Sequence, residues 1–214
     1  MTLKEKSCYI VTGSKKAKQN IEKKLKKKPL LLYDKPMKEV KSNKYLGCLL
    51  SPSVSETVSN TINSRIGLAK RSIYEIRTVV EDIRADHIGA VQVGLELWQS
   101  SVLSSLLYSS EVWSEVPPKS LKQLEETNSL FLANLLGVSK RGCPEVNLYI
   151  ETSSLLIPNQ ILLSQLLFLH HIASLPTAPL VNEVYESMKE KNFPGILRIC
   201  QPYLTEWSMT EIKS

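Results

Sequence analysis

The sequence predicts a mainly α-helical protein that opens with a small α+β piece. Three observations predict it. Residues 1–51 set short apolar runs and turn residues around one lysine-rich helical stretch. From Val58 onward, apolar residues recur at three- and four-residue steps, the period of an amphipathic helix. Everything after Ser51 reads as helical. The 214 residues suffice for a real core, and an apolar fraction of 43% argues against disorder throughout.

Taken in order, residues 8–12 (CYIVT) read as a short buried strand stopped by Gly13 and Ser14. Residues 15–28 carry apolar side chains only at Ala17, Ile21 and Leu25, one narrow stripe on a cationic helix that Pro29 ends. Residues 30–40 form a candidate hairpin turning at Asp34, Lys35 and Pro36. Residues 44–50 (KYLGCLL) supply a further strand with Gly47 inside it. Such a glycine marks a bulge or tight packing contact, or else the close approach of a ligand or another backbone. A parallel βαβ sheet is not expected in this piece.

Ser53 and Glu56 form a capping box at the start of a long helix. Its stripe runs through Val58, Ile62, Ile66, Ala69, Ile73, Ile76, Val80 and Ile83. Arg65, Lys70, Arg71, Arg77 and Arg84 fall on its polar sides. Asp86 is a candidate cap for a second helix with Val91, Leu95, Trp98, Val102 and Leu106 on its apolar stripe. Pro117 and Pro118 break the chain, and a third helix runs from about Ser120 to Gly137 as its stop. Residues 142–158 read as a short helix and connector. Pro158 then opens a helix that is apolar on most sides and is expected to be buried. Leu180, Val184 and Met188 mark one more surface helix, and the tail beyond Phe193 is poorly patterned. The expected divisions are 1–51, 52–138 and 139–214.

Charge is distributed unevenly. The chain carries a net +6, yet residues 1–44 alone hold 14 lysines against Glu5, Glu22, Asp34 and Glu39, a local net of +10. That excess favours a polyanionic partner, nucleic acid before membrane. Lys15, Lys16, Lys18, Lys23, Lys24, Lys26 and Lys27 are the candidate phosphate contacts; a nuclear-import address or a solvated face are the competing uses. Arg65, Lys70 and Arg71 form a second candidate strip, for phosphate tracking or for solvation.

Metal chemistry finds no support in the spacing. Cys8, Cys48, Cys143 and Cys200 are too scattered for a cluster, and His170 and His171 are adjacent, so they face different sides of a helix. They read as core or helix-end histidines, and Trp98 and Trp113 as core. No secretory segment and no membrane-length apolar run stand out, which predicts an intracellular chain with reduced thiols, nuclear or cytoplasmic.

Five segments are informative as an ordered set: KEKSCYIVTG (4–13), NKYLGCLL (43–50), LLYSSEVW (106–113), LEETNSLFLANLLGVSK (124–140) and ETSSLLIPNQILLSQLLFLHHI (151–172). In this order the chain resembles the C-terminal part of a non-LTR retrotransposon reverse transcriptase, over roughly residues 4–175. The resemblance implies that residues 1–51 are the end of a palm domain and that the helices after them are a thumb and the region beyond it. It implies that Tyr45, Leu46 and Gly47 belong to a primer grip, which holds the growing 3′ end. Ser109 stands where that family commonly has glycine. Lys6 matches a lysine-containing segment in which a lysine can assist pyrophosphate departure as a general acid.

The intact parent would carry out RNA-templated DNA synthesis with Mg2+, on an RNA template and a DNA primer. One departure matters. The paired aspartates that hold two metal ions have no counterpart, and Asp34, Asp82 and Asp86 stand alone. No catalytic residue, metal site or cofactor is therefore expected in this chain, which is read as a C-terminal remnant or a truncated gene product that holds template–primer at most. Two alternatives stay open: a non-enzymatic helical module that binds nucleic acid or another partner through a lysine-rich arm, and an inert product of a decayed element.

Overall fold

A computed structural model describes residues 8–12, 14–45, 47–83, 87–113 and 116–175, together with 183, 186, 187, 199, 200, 202 and 203. The chain is mostly helical with a few short strands. In order the elements are β1 (Cys8–Tyr9), α1 (Lys15–Lys27), β2 (Leu31–Leu32), β3 (Lys35–Pro36), β4 (Lys38–Glu39), β5 (Asn43–Tyr45) and β6 (Cys48–Leu50). Then come α2 (Val54–Asp82), α3 (His87–Leu97), a π-helical turn (Trp98–Leu103), α4 (Ser104–Leu106) and a 3₁₀ turn (Ser110–Val112). α5 (Pro118–Leu135), α6 (Glu145–Glu151) and α7 (Ile157–Ser174) follow. The chain divides into two compact units, Met1–Thr61 and Ile62–Ser214.

In the first unit, α1 starts where Ser14 Oγ accepts the Ala17 N–H at 3.3 Å. It ends with Lys24, Lys26 and Lys27 in the last turn, where the helix dipole favours cations. None of its residues is buried, the stripe Ala17–Ile21–Leu25 included. The strands after it depart from expectation. The hairpin turns at Tyr33 and Asp34 rather than at Asp34–Pro36, with Leu31 opposite Pro36 and Leu32 opposite Lys35. Met37 N–H closes it on Leu30 O at 2.8 Å. Both turn residues have positive φ, 51° and 62°, as a type I′ turn requires. For Tyr33 that conformation costs on the order of 1–2 kcal/mol.

Because the tight turn uses only residues 30–37, Lys38 and Glu39 are left to pair with β1, and they do so in parallel. A short parallel β–α–β crossover thus exists where none was expected. The segment 44–50 is also not one strand. Asn43, Lys44 and Tyr45 pair with Leu50, Leu49 and Cys48 in an antiparallel hairpin, and Gly47 sits in its two-residue turn at φ 82°. That conformation is what calls for glycine there. Neither a bulge nor a tight contact is needed to explain it. Three side chains secure this hairpin to the start of α2. Leu49 N–H donates to Thr61 Oγ1 (2.9 Å), Ser51 N–H to Thr57 Oγ1 (2.8 Å), and Asn60 Nδ2 to Ser51 Oγ (3.0 Å). The capping residue Ser53 accepts the Glu56 N–H at 3.2 Å, as its motif predicts.

The second unit is built from the predicted apolar stripes. Ile62, Ile66, Ala69, Ile73 and Ile76 are buried, while Ile83 lies beyond the end of α2 and is exposed. Trp98, Val102 and Leu106 are buried. The chain passes from α3 through a π turn, where the hydroxyls of Ser100 and Ser104 bond back to the carbonyls of Glu96 and Ser100. A methyl group at Gly94 would collide with Leu135 and Val80, so glycine permits the close packing of α3 there. Pro118 opens α5, and Gly137 (φ 68°) closes it. Val138 N–H bonds to Ala133 O at 3.0 Å and Gly137 N–H to Asn134 O at 3.2 Å, a Schellman motif.

α7 is one-sided rather than buried all round. Ile157, Ile161, Leu166 and Leu169 are covered, but Leu163 and Leu167 are 44% and 60% exposed. Cys200, in the tail that lacked a sequence pattern, packs against Leu166 and Leu169, and burial raises its thiol to about 11. None of the four cysteines forms a disulfide. The expected roles of Arg84, Asp86, Leu180, Val184 and Met188 lie outside the described residues.

Candidate nucleic-acid interface

Thirteen residues of α-helix rise about 20 Å, roughly the rise of six base pairs. Along that length α1 carries Lys15, Lys16, Lys23, Lys24, Lys26 and Lys27 exposed and Lys18 half-buried, with Glu22 as its one acid. The first turn contains no acid. At the end of β5, beside the Gly47 turn, Tyr45 is 60% exposed and Lys44 is exposed as well. Leu46 and Lys6 lie outside the described residues.

The second strip does not hold together. Lys70 and Arg71 are exposed on α2, but Arg65 is only 8% exposed. Its Nη1 donates to the carbonyl oxygen of Tyr108, and its guanidinium lies 5.3 Å from the centre of the Tyr108 ring. Position 65 is three residues after Ile62 and four before Ala69, which puts it at the border of the buried face. Arg65 is therefore a structural cation that holds the 106–113 segment, and it does not face solvent beside Lys70 and Arg71.

That segment is fixed from a second side. Gln165, itself buried, donates through Nε2 to the carbonyls of Ser110 (3.3 Å) and Trp113 (2.8 Å). Between these anchors Ser109 adopts φ 63°, a left-handed conformation favouring glycine. A separate chain of polar contacts links the π turn, α5 and α6. Trp98 Nε1 donates to Asn128 Oδ1 (2.9 Å), Asn128 Nδ2 to the Tyr149 hydroxyl (3.3 Å), and that hydroxyl to Glu125. The other Glu125 oxygen accepts the Ile157 N–H at 2.8 Å, near the start of α7. Trp98 stacks on Phe131 with centroids 4.0 Å apart and planes 7° from parallel. Burial raises the Glu125 carboxyl above its ordinary value, and burial with the bond to Glu125 raises the Tyr149 phenol.

Trp98 and Trp113 are in the core, as their patterns predicted, and His170 and His171 are exposed near the end of α7. The sequence reading missed Asn128, Tyr149 and Gln165 as a buried polar set. One signal could have found two of them: Asn128 lies four residues after Leu124, and Gln165 lies midway between Ile161 and Leu169, so both occupy core positions of their stripes.

A cavity of about 1140 Å³ is lined by Ile73, Val80, Val91, Leu95 and Phe131, with the Arg77–Glu81 ion pair (2.8 Å) also in its wall. Among the described residues no group of three or more His, Cys, Asp or Glu side chains is placed to hold a metal ion, and no helix is long and apolar enough to cross a membrane. What the exposed groups offer is binding: ammonium groups for phosphates and a tyrosine ring for a sugar or base. No family model, curated protein or solved structure matches the chain.

Proposed function

We propose that the chain binds nucleic acid through the lysines of α1, and that it corresponds to the palm end, thumb and following helices of a non-LTR retrotransposon reverse transcriptase. The observation that carries the binding is α1 itself, a helix with no buried residue and no acid in its first turn. Packing does not account for such a helix, whereas phosphate neutralisation with counterion release does. Two further features support the parentage. Ser109 takes a glycine-like conformation at the position where the resembled family has glycine. Tyr45 stands exposed beside the turn of β5–β6, where a primer terminus could rest on it.

In this reading α1 neutralises backbone charge and Tyr45 contacts the primer end. The paired aspartates that hold two magnesium ions in the resembled family have no counterpart in the sequence, so no phosphoryl-transfer step is assigned to this chain. The test compares a recessed RNA–DNA primer–template with blunt duplex. Tyr45→Ala should weaken the recessed substrate by about 1 kcal/mol or more and leave the blunt one unchanged. The purified chain should incorporate no nucleotide. If Tyr45→Ala affects both substrates alike, the primer-end assignment fails and a lysine-armed binding module without polymerase parentage is the better reading.

A further inference from the structure

The β2–β3 hairpin breaks the usual chemistry of its turn. Two-residue turns with both residues at positive φ select Asn-Gly or Asp-Gly, yet here Tyr33 takes the first place at φ 51° and Asp34 the second at 62°. A bulky aromatic at positive φ is a conformational outlier, and such outliers concentrate where function holds them. Core packing does not hold this one. Tyr33 is 71% exposed, and Leu31 and Leu32, on opposite faces of β2, are 58% and 37% exposed. The turn thus displays a phenol ring at the tip of a hairpin that is exposed on both faces.

The surrounding charge indicates what the ring meets. Lys35 follows the turn, and Lys24, Lys26, Lys27 and Lys28 precede the hairpin in the chain. A polyanion is favoured nearby, but Asp34 repels phosphate from the tip itself. The tip therefore suits the face of a base better than the backbone. A ring can stack only on a base whose face is open, and in a single strand such faces are available.

We propose that Tyr33 is a stacking contact for a base of single-stranded nucleic acid, with Lys35 neutralising a neighbouring phosphate. The proposal rests on the nucleic-acid reading above and adds the strand state that this site selects. The test uses the full chain, a fluorescein-labelled single-stranded oligonucleotide and a blunt duplex of equal length, read by anisotropy alongside thermal unfolding. Tyr33→Asn suits the positive φ, so the hairpin is kept while the ring is lost.

Tyr33→Asn should weaken single-strand binding about five- to 150-fold, leave duplex binding unchanged and keep or raise the unfolding midpoint. Tyr33→Phe keeps the ring and should bind single strands as the wild type does. Unchanged single-strand affinity in Tyr33→Asn, with duplex binding intact, overturns the proposal and leaves the α1 reading standing. Equal loss on both substrates with a lower midpoint also overturns it, since that is a structural role. A wild-type chain that binds neither substrate overturns the nucleic-acid reading and the proposal together.

Discussion

The two units differ in where their long polar and charged side chains go. Among the described residues of Met1–Thr61 the charged side chains are exposed apart from half-buried Lys18: no residue of α1 is fully buried, and both strands of β2–β3 are exposed. In Ile62–Ser214 polar groups go into the core, where Arg65, Asn128 and Gln165 satisfy specific partners. Burying a polar group costs free energy unless it is hydrogen-bonded, so each inward group constrains which arrangement of helices is stable. Exposed lysines impose no such constraint and are free to meet a partner. Substitutions in the second unit should therefore change stability, and substitutions in the first should change binding.

The largest effect should come from Trp98→Ala. It removes a fully buried ring stacked on Phe131 and leaves Asn128 Oδ1 without its donor. Denaturant unfolding should show a loss of about 3–5 kcal/mol, and a loss under about 1 kcal/mol would break the contrast between the units.

The pH dependence comes next. The Glu125 carboxyl is raised in the folded state because burial disfavours its charge. Between its ordinary value and the raised one, the folded chain holds the proton more tightly than the unfolded chain. Stability should thus fall as pH rises through that window and level off above it. Glu125→Gln should remove this contribution, and an unchanged pH profile in the variant would rule Glu125 out as its source. The smallest effect is Gly67→Ala on α2. A methyl group there meets nothing within 4 Å, so the substitution should stabilise the helix by about 0.5–1 kcal/mol. A lower unfolding midpoint would indicate an obstruction at that open position.

What was legible in the sequence follows the strength of each local rule. The capping residue Ser53, the stripe of α2 and the Gly137 stop were readable because each depends on a few neighbouring residues. The hairpins were misread because a one-residue change in turn position redirects every later pairing: a turn at Tyr33 and Asp34 frees Lys38 and Glu39 for β1. No turn rule selects tyrosine at positive φ. Arg65 was misread because charge suggested an outward side chain, while its spacing from Ile62 and Ala69 placed it at the core border and a distant carbonyl, Tyr108, supplied the partner. Tertiary partners of that kind leave no local pattern. On the candidate interface, the α1 lysines were legible because a one-signed run needs no partner to be seen. The exposed tip at Tyr33 was not.

The central claim is that α1 binds phosphates while the helical unit supplies the stable body. It is tested most directly by the salt dependence of nucleic-acid binding in the wild type and in a chain with Lys23, Lys24, Lys26 and Lys27 changed to Gln. Each phosphate contact contributes about −0.9 to the slope of log K against log salt on duplex DNA. The account predicts a slope flatter by up to about 3.6 in the variant, weaker binding to all sequences alike and an unchanged unfolding midpoint. A slope equal to that of the wild type, in a variant that still folds, would contradict it.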